Sequence, residues 1–217
     1  MTTSVHGHWD RWPTTMPDSW PDTNEPSFVV VDLETTGLSP MGDRIIEIAL
    51  IRTDLDGIPV GTWSQLVNPR RPVGASEIHG ITADQLTGAP TFAEIADEVV
   101  EKLRGALLVA HNAQFDRSFL ASEMTRSGWK IPDEPTLCTM VESAHFLPGL
   151  SRKRLGDCVE AIGFGGEVLH RALSDATLAA ALLFFYLNGP MNQERSGLLR
   201  DLGLSAQRAS WPLVKDL

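Results

Sequence analysis

The chain's pattern predicts an α/β fold, with one mixed five-stranded sheet and helices on both faces. Three observations carry that expectation. Phe28-Val-Val-Val31 is a short unbroken apolar run, the signature of a central strand covered on both sides. Two further strand patterns follow it directly, joined by a turn at Gly57. After them, strand and helix patterns alternate, which places helices on the two faces of a sheet.

Residues 1–26 carry Trp9, Trp12 and Trp20 among Pro, Thr, Asp and His, with neither helical nor strand period, and read as a flexible leader. The core runs over 27–188. Its first strand holds Phe28 to Val31; Ile45 to Arg52 and Val60 to Val67 complete an antiparallel meander. Thr91-Phe-Ala-Glu94 is a capping box, and Phe92, Ile95, Val99 and Leu103 form the buried stripe of the helix it opens. Leu107 to Ala110 is a fourth strand, and Phe115, Phe119 and Met124 share a face of the next helix. Thr136 to Met140 reads as a fifth strand. Ser151 is placed to cap a helix containing Leu155, Val159 and Ile162, which Gly163 ends. The last core helix runs from about Ala172 to Leu187. Residues 189–217 form a C-terminal tail in which Leu198, Leu199 and Leu202 suit a short helix, docked or loose, and which offers itself to a partner.

Composition narrows the function classes. The 217 residues hold 28 Asp plus Glu against 18 Lys plus Arg, a net charge of −10. That balance argues against a broad, salt-driven nucleic-acid surface. It is compatible with a small pocket where bound cations supply the positive charge. Cys138 and Cys158 show no CxxC spacing and read as core residues of a reducing compartment. The start of the sequence lacks a signal-peptide pattern, and the Ala176 to Leu187 run is shorter than the ~20 residues of a membrane span. A cytoplasmic location without a membrane partner is expected.

Three acidic motifs carry the chemistry. In Asp32-Leu-Glu34, strand alternation turns both carboxylates the same way, and a divalent cation with oxygen ligands relieves their repulsion. Thr35, Thr36 and Gly37 then make a tight turn whose backbone can approach a ligand. Such a pair also merely ends strands. In His111-Asn-Ala-Gln-Phe-Asp116, the aspartate lies in a first helical turn, where the helix dipole alone would favour it. In His170-Arg-Ala-Leu-Ser-Asp175, a lone acid enters an apolar helix slimmed by Ala172, Ala176, Ala179, Ala180 and Ala181. A buried carboxylate there needs a partner, a hydrogen bond or a metal.

With these motifs in order, the chain resembles the DEDD-family 3′→5′ exonucleases, in the histidine-bearing (DEDDh) subgroup typified by the proofreading epsilon subunit of bacterial DNA polymerase III. The resemblance spans roughly Phe28 to Leu187. It rests on Val-Val-Asp-Leu-Glu-Thr-Thr-Gly-Leu, Ile46-Glu-Ile, Val67-Asn-Pro, Ile78-His-Gly-Ile-Thr82, His-Asn-Ala-x-Phe-Asp and His-x-Ala-x-x-Asp-Ala. It implies a ribonuclease H-like fold and an exonuclease domain over 27–188. It further implies that Asp32, Glu34 and Asp175 ligate one cation, that Asp32 bridges to a second, that Asp116 holds metal-bound waters, and that His170 is the general base. Leu38 resembles the wedge beside the terminal base; His79, Asn112 and Phe115 resemble residues near the terminal nucleotide or the floor of the site.

The implied chemistry is two-metal hydrolysis, with cations ~3.5–4 Å apart flanking the scissile phosphate. An all-carboxylate oxygen site favours Mg²⁺ or Mn²⁺. The expected substrate is the 3′ end of DNA, preferentially single-stranded, with release of nucleoside 5′-monophosphates in proofreading or repair. An oligoribonuclease-like RNA exonuclease shares the chemistry and stands as the alternative. An inactive scaffold is disfavoured by the intact acids and histidine. Residues 192–217 could dock a polymerase or sliding-clamp partner; Gln207-Arg-Ala-Ser-Trp-Pro-Leu213 only faintly resembles a clamp peptide, because its spacing is off.

Overall fold

The computed structural model describes residues 9–23, 25, 27–130, 135–165 and 168–206. Its strands are β1 (Ser27–Thr35), β2 (Ile45–Thr53), β3 (Pro59–Leu66), β4 (Ala106–Ala110) and β5 (Leu137–Cys138). They form one sheet in the order β3-β2-β1-β4-β5. β1, β2 and β3 pair antiparallel, whereas β4 joins β1, and β5 joins β4, in parallel. The expected mixed sheet is present. The helices are α1 (Ser76–His79), α2 (Ala83–Leu86), α3 (Phe92–Leu103), α4 (Ala113–Arg126), α5 (Thr139–Phe146), α6 (Leu155–Ala161), α7 (Ala172–Asn188) and α8 (Gln193–Ala206).

Strand alternation divides the core. Val29, Val31 and Leu33 of β1 pack with α3 and α4 residues such as Phe92, Val99, Phe119 and Met124. Phe28 and Val30 face α6, α7 and α8 through Val159, Ala176, Ala179 and Leu199. Asp32 and Glu34 continue the Phe28–Val30 face, so period two alone aims them at α7. β1 and β4 run parallel, so their carboxyl ends open on the same side of the sheet, where open α/β sheets place their ligand crevices.

Several boundaries differ from expectation. β5 is only Leu137–Cys138, because its partner β4 stops at Ala110; Thr139 and Met140 already belong to α5. Ser151 does not cap α6, whose N-cap is Arg154. The intervening segment is drawn aside, its Lys153 carbonyl 2.9 Å from His111 Nε2. Residues 9–23 are not a loose leader. Trp9 lies 4.8 Å from the Phe164 ring and 5.5 Å from Phe184, Trp12 packs edge-on against both, and the Thr62 hydroxyl donates to the Pro17 carbonyl. Trp20 lies under the Lys102 ammonium, 4.8 Å from ring centre to nitrogen. These aromatics cover apolar surface that α7 and the sheet would otherwise expose.

The tail likewise docks over 189–206. α8 buries Leu199 and Ala206 and brings Gly203 against the Phe28 ring. A Cβ at Gly203 would meet that ring at 2.8 Å, so the close approach requires glycine. The clamp-like peptide at 207–213 falls outside the described residues. No single helix among the described residues is long and apolar enough to cross a membrane, and α7, the most apolar, is buried within the domain.

Candidate active site

The acids converge on a cavity of about 630 Å³ lined by Asp32, Glu34, Asp116, His170 and Asp175, together with His111, Asn112, Phe115 and Arg154. Asp32 and Glu34 come from the end of β1. Asp175 comes from the first turn of α7, the helix that packs on their face. Carboxylate oxygens of Asp32, Glu34 and Asp175 all lie within 4.8 Å of one another. Asp116 enters from the first turn of α4, immediately beyond the end of β4. A divalent cation fits this donor set, since it consists of hard oxygens crowded together and largely buried.

The electrostatics show the strain of that gathering. Burial first, then the charges of Asp116, Asp175, Glu34 and Glu47, push the Asp32 carboxyl well above the usual range. Glu34 is pushed up to about 7 by burial and by Asp175 and Glu47, with Arg171 opposing. Burial likewise raises Asp116 to about 7. Asp175 is also raised, chiefly by burial, although the Leu169 backbone N–H donates to its Oδ1 at 3.2 Å. Like charges crowded into low dielectric favour their protonated forms, and a bound cation reverses that preference.

His170 stands at the rim, exposed, with φ of 48°. A non-glycine residue in the left-handed region is uncommon and marks a backbone held in place by its surroundings. The hold is visible one residue on. Arg171 makes a paired contact with Glu47, Nε to Oε2 at 3.1 Å and Nη2 to Oε1 at 2.9 Å, and the Ala172 N–H donates to Oε2 at 3.0 Å. Glu47 therefore satisfies the start of α7 and fixes the loop that carries His170. It also lies across from Glu34 in the β1–β2 register, a like-charge pairing that Arg171 offsets. In the sequence Glu47 is a lone carboxylate within the apolar run Ile45–Ile51, inside the Ile46-Glu-Ile motif, but nothing there names its partner.

The remaining candidates separate into two groups. Asn112 and Phe115 line the cavity, Phe115 with its ring 4.8 Å from Phe119. Thr35, Thr36 and Gly37 do not line it; they build the turn beside it. The Thr35 hydroxyl donates to the Gly37 carbonyl, and the Thr36 hydroxyl donates to Asp43 Oδ1. Gly37 is required for space: a Cβ there would sit 2.5 Å from the Asp43 carboxylate. Leu38 projects into solvent at the tip of this turn, 85% exposed. His79 corrects the expectation placed on it. It is buried, its Nδ1 accepts from the Ile81 N–H and its Nε2 lies 3.1 Å from the Gly74 carbonyl, so both nitrogens are spent holding their own loop. His111 is also structural. Burial lowers its pKa and keeps the ring neutral; Nε2 donates to the Lys153 carbonyl and Nδ1 accepts from the Thr139 hydroxyl at 2.9 Å.

Comparison with known proteins agrees with this geometry. The family model for exonucleases of the RNase T type matches residues 29–183. The 3′-5′ exonuclease DinG of Bacillus subtilis is 32% identical over 197 residues, 89% of this chain. The PolC-type DNA polymerase III of Lactococcus lactis is 32% identical over 180 residues, 82% of this chain. The chain spans only 20% and 11% of those two relatives' lengths. Among solved structures, E. coli exonuclease I in complex with a dT13 oligonucleotide superposes with a TM-score of 0.67 at 19% identity, covering 76% of this chain and 42% of that one. A 3′-exonuclease described as recognising the histone mRNA stem-loop gives 0.66 at 19% identity, over 78% of this chain and 84% of that one. A family match over most of the chain, on a ribonuclease H-like sheet with the acids gathered at one end, shows that the chain belongs to the exonuclease family, as a DEDD-type 3′-5′ exonuclease domain of the DEDDh subgroup.

Proposed function

We propose that this domain removes nucleotides from the 3′ end of DNA, preferring single strands or frayed ends, and releases nucleoside 5′-monophosphates with the help of two Mg²⁺ or Mn²⁺ ions. The observation that carries the proposal is the convergence of the Asp32, Glu34 and Asp175 oxygens, with Asp116 and His170 on the same wall. Asp32, Glu34, Asp116 and Asp175 would hold the cations. Bound there, the metals supply charge neutralisation for the phosphate and for the attacking and leaving oxygens.

The chain's own residues do the rest. An unprotonated ring nitrogen of exposed His170 accepts the proton of the attacking water as general base. Glu47 and Arg171 keep that imidazole over the acids. Phe115 and Asn112, which line the same cavity, offer an apolar face and an amide to the terminal nucleotide. Leu38, exposed beside the turn that follows Glu34, is our candidate for the wedge beside the terminal base.

DNA is favoured over RNA because the relatives similar over most of this chain are named for a 3′-5′ exonuclease and for DNA polymerases. A role in repair or proofreading follows from the same kinship. RNA is the second reading, prompted by the likeness to the histone mRNA 3′-exonuclease. The deciding test is digestion of labelled single-stranded DNA, duplex DNA with a matched or mismatched 3′ end, closed circular single strands and short RNA, each with magnesium. Shortening from the 3′ end, faster at a mismatch, with the circle intact, is expected. Cleavage of the circle refutes the polarity, and preference for short RNA transfers the assignment to the RNA branch.

A further inference from the structure

We infer that Arg152 and Arg154 form a phosphate-binding ridge for the strand upstream of the terminal nucleotide. The inference rests on the function proposed above and goes beyond its acids and base. Arg152-Lys153-Arg154 is the one place in the sequence where three consecutive residues are all Lys or Arg, in a chain whose net charge is −10. The last residue of this run, Arg154, lines the acidic cavity, and Arg152 stands two residues before it. Arg152 and Arg154 are exposed, with Lys153 half-buried between them. None of the three makes an ion pair among the described residues, whereas Arg171, beside His170, is paired with Glu47.

The ridge is built as well as charged. Residues 152–154 lie outside any helix, and Arg154 has extended dihedrals, φ −67° and ψ 154°. Extended residues two apart stand about 6.6 Å from each other, a step suited to successive phosphates of a stretched strand. The segment is fixed from beneath, because His111 donates from Nε2 to the Lys153 carbonyl and is itself held by Thr139. His111 is adjacent to Asn112, which lines the cavity, so the ridge and the site share one anchor. Four carboxylates and their cations can engage the scissile phosphate; among the described residues Arg171, beside His170, is paired with Glu47, which leaves this run to meet the phosphates behind it. Cationic side chains beside phosphates supply the salt-dependent part of single-strand affinity.

The test compares wild type with Arg152→Ala, with Arg152→Ala/Arg154→Ala and with Arg152→Lys/Arg154→Lys. One measurement is binding of a thymidine oligonucleotide in non-catalytic calcium against salt concentration. The other is hydrolysis, with magnesium or manganese, of the same oligonucleotide and of the p-nitrophenyl ester of thymidine 5′-monophosphate, which has no upstream phosphates. The double alanine variant should show a slope of log K against log salt shallower by about 1.4, at about 0.7 for each phosphate that is no longer neutralised. Its KM for the oligonucleotide should rise, Arg152→Ala alone, which does not line the cavity, should leave kcat on the small ester at the wild-type value, and the lysine variant should keep the slope. An unchanged slope and KM in the double alanine variant overturns the ridge. A drop in the activity of Arg152→Ala on the small ester equal to that on DNA also overturns it, since the residue would then serve the site itself. Failure of all the proteins on the small ester, with the salt slopes still different, would instead count against the catalytic proposal and leave the ridge standing.

Discussion

Replacing Glu34 with glutamine should make the metal-free protein more stable while disabling it. Glutamine keeps the side-chain volume and hydrogen-bonding capacity but carries no charge. In the folded protein Glu34 titrates at about 7, against an ordinary 4.5, because burial, Asp175 and Glu47 all oppose its ionisation. At about 1.4 kcal/mol per unit that rise corresponds to about 3 kcal/mol above pH 7. Solvent screening of a side chain at the cavity mouth reduces this to about 1–2 kcal/mol. The sign follows from where the proton sits. Below pH 4.5 the carboxyl is neutral in folded and unfolded chains alike, so wild type and variant should melt together. As pH rises from 4.5 to 7 the unfolded chain ionises first, and wild type loses stability that Glu34→Gln retains. For a domain of this size about 1–2 kcal/mol is a gap of about 2–8 °C in Tm.

Thermal melts in chelator between pH 4.5 and 8.5 would measure that gap, and repeating them with manganese or magnesium would invert it. Wild type should gain more from the ion, because it binds the folded chain and relieves the repulsion that destabilises it. A variant that melts at or below wild type in chelator at pH 8 would refute the reasoning, since the carboxylate would then be stabilising on its own. Wild type unaffected by either ion would refute the cation site.

The other predictions are shorter. His170→Ala should lower the single-turnover cleavage rate by about 10²–10⁴ and remove the rise of rate with pH, while DNA binding in calcium changes little; an unchanged rate would make His170 a bystander. Glu47→Gln should weaken its paired contact with Arg171, worth about 1–3 kcal/mol, and lower kcat more than it changes DNA affinity; equal effects on both would show that it does not act through the His170 loop. Trp9→Ala should cost about 1–3 kcal/mol by uncovering Phe164 and Phe184; calorimetry showing no change in Tm would mean that the N-terminal segment does not stabilise the domain.

Much of this molecule was legible in local sequence because short-range rules govern it. Alternation along Phe28 to Glu34 fixes which side chains face α7 whatever the rest of the fold does, so Asp32 and Glu34 had to emerge together. The capping box at Thr91 and the stripe from Phe92 to Leu103 likewise need only their neighbours, and α3 formed where they placed it. The order of the acidic motifs identified the family, since each ligand type is dictated by the same chemistry. Other features depended on contacts between residues far apart in the chain. Ser151 has the right side chain for a cap, yet His111 draws the segment away and α6 starts at Leu155. His79 resembled a nucleotide contact, yet its loop consumes both nitrogens. Trp9 and Trp12 lack any period because they do not belong to a regular element; they are covered by Phe164 and Phe184, more than 150 residues away. Nothing local reveals that Glu47 would meet Arg171 across 124 positions, or that Arg154 would line the cavity of the acids. Sequence settled the chemistry of each group, because protonation and ligand type are properties of a side chain. Only tertiary structure decided which groups meet, because distance, burial and the charge of neighbours are properties of the assembled fold.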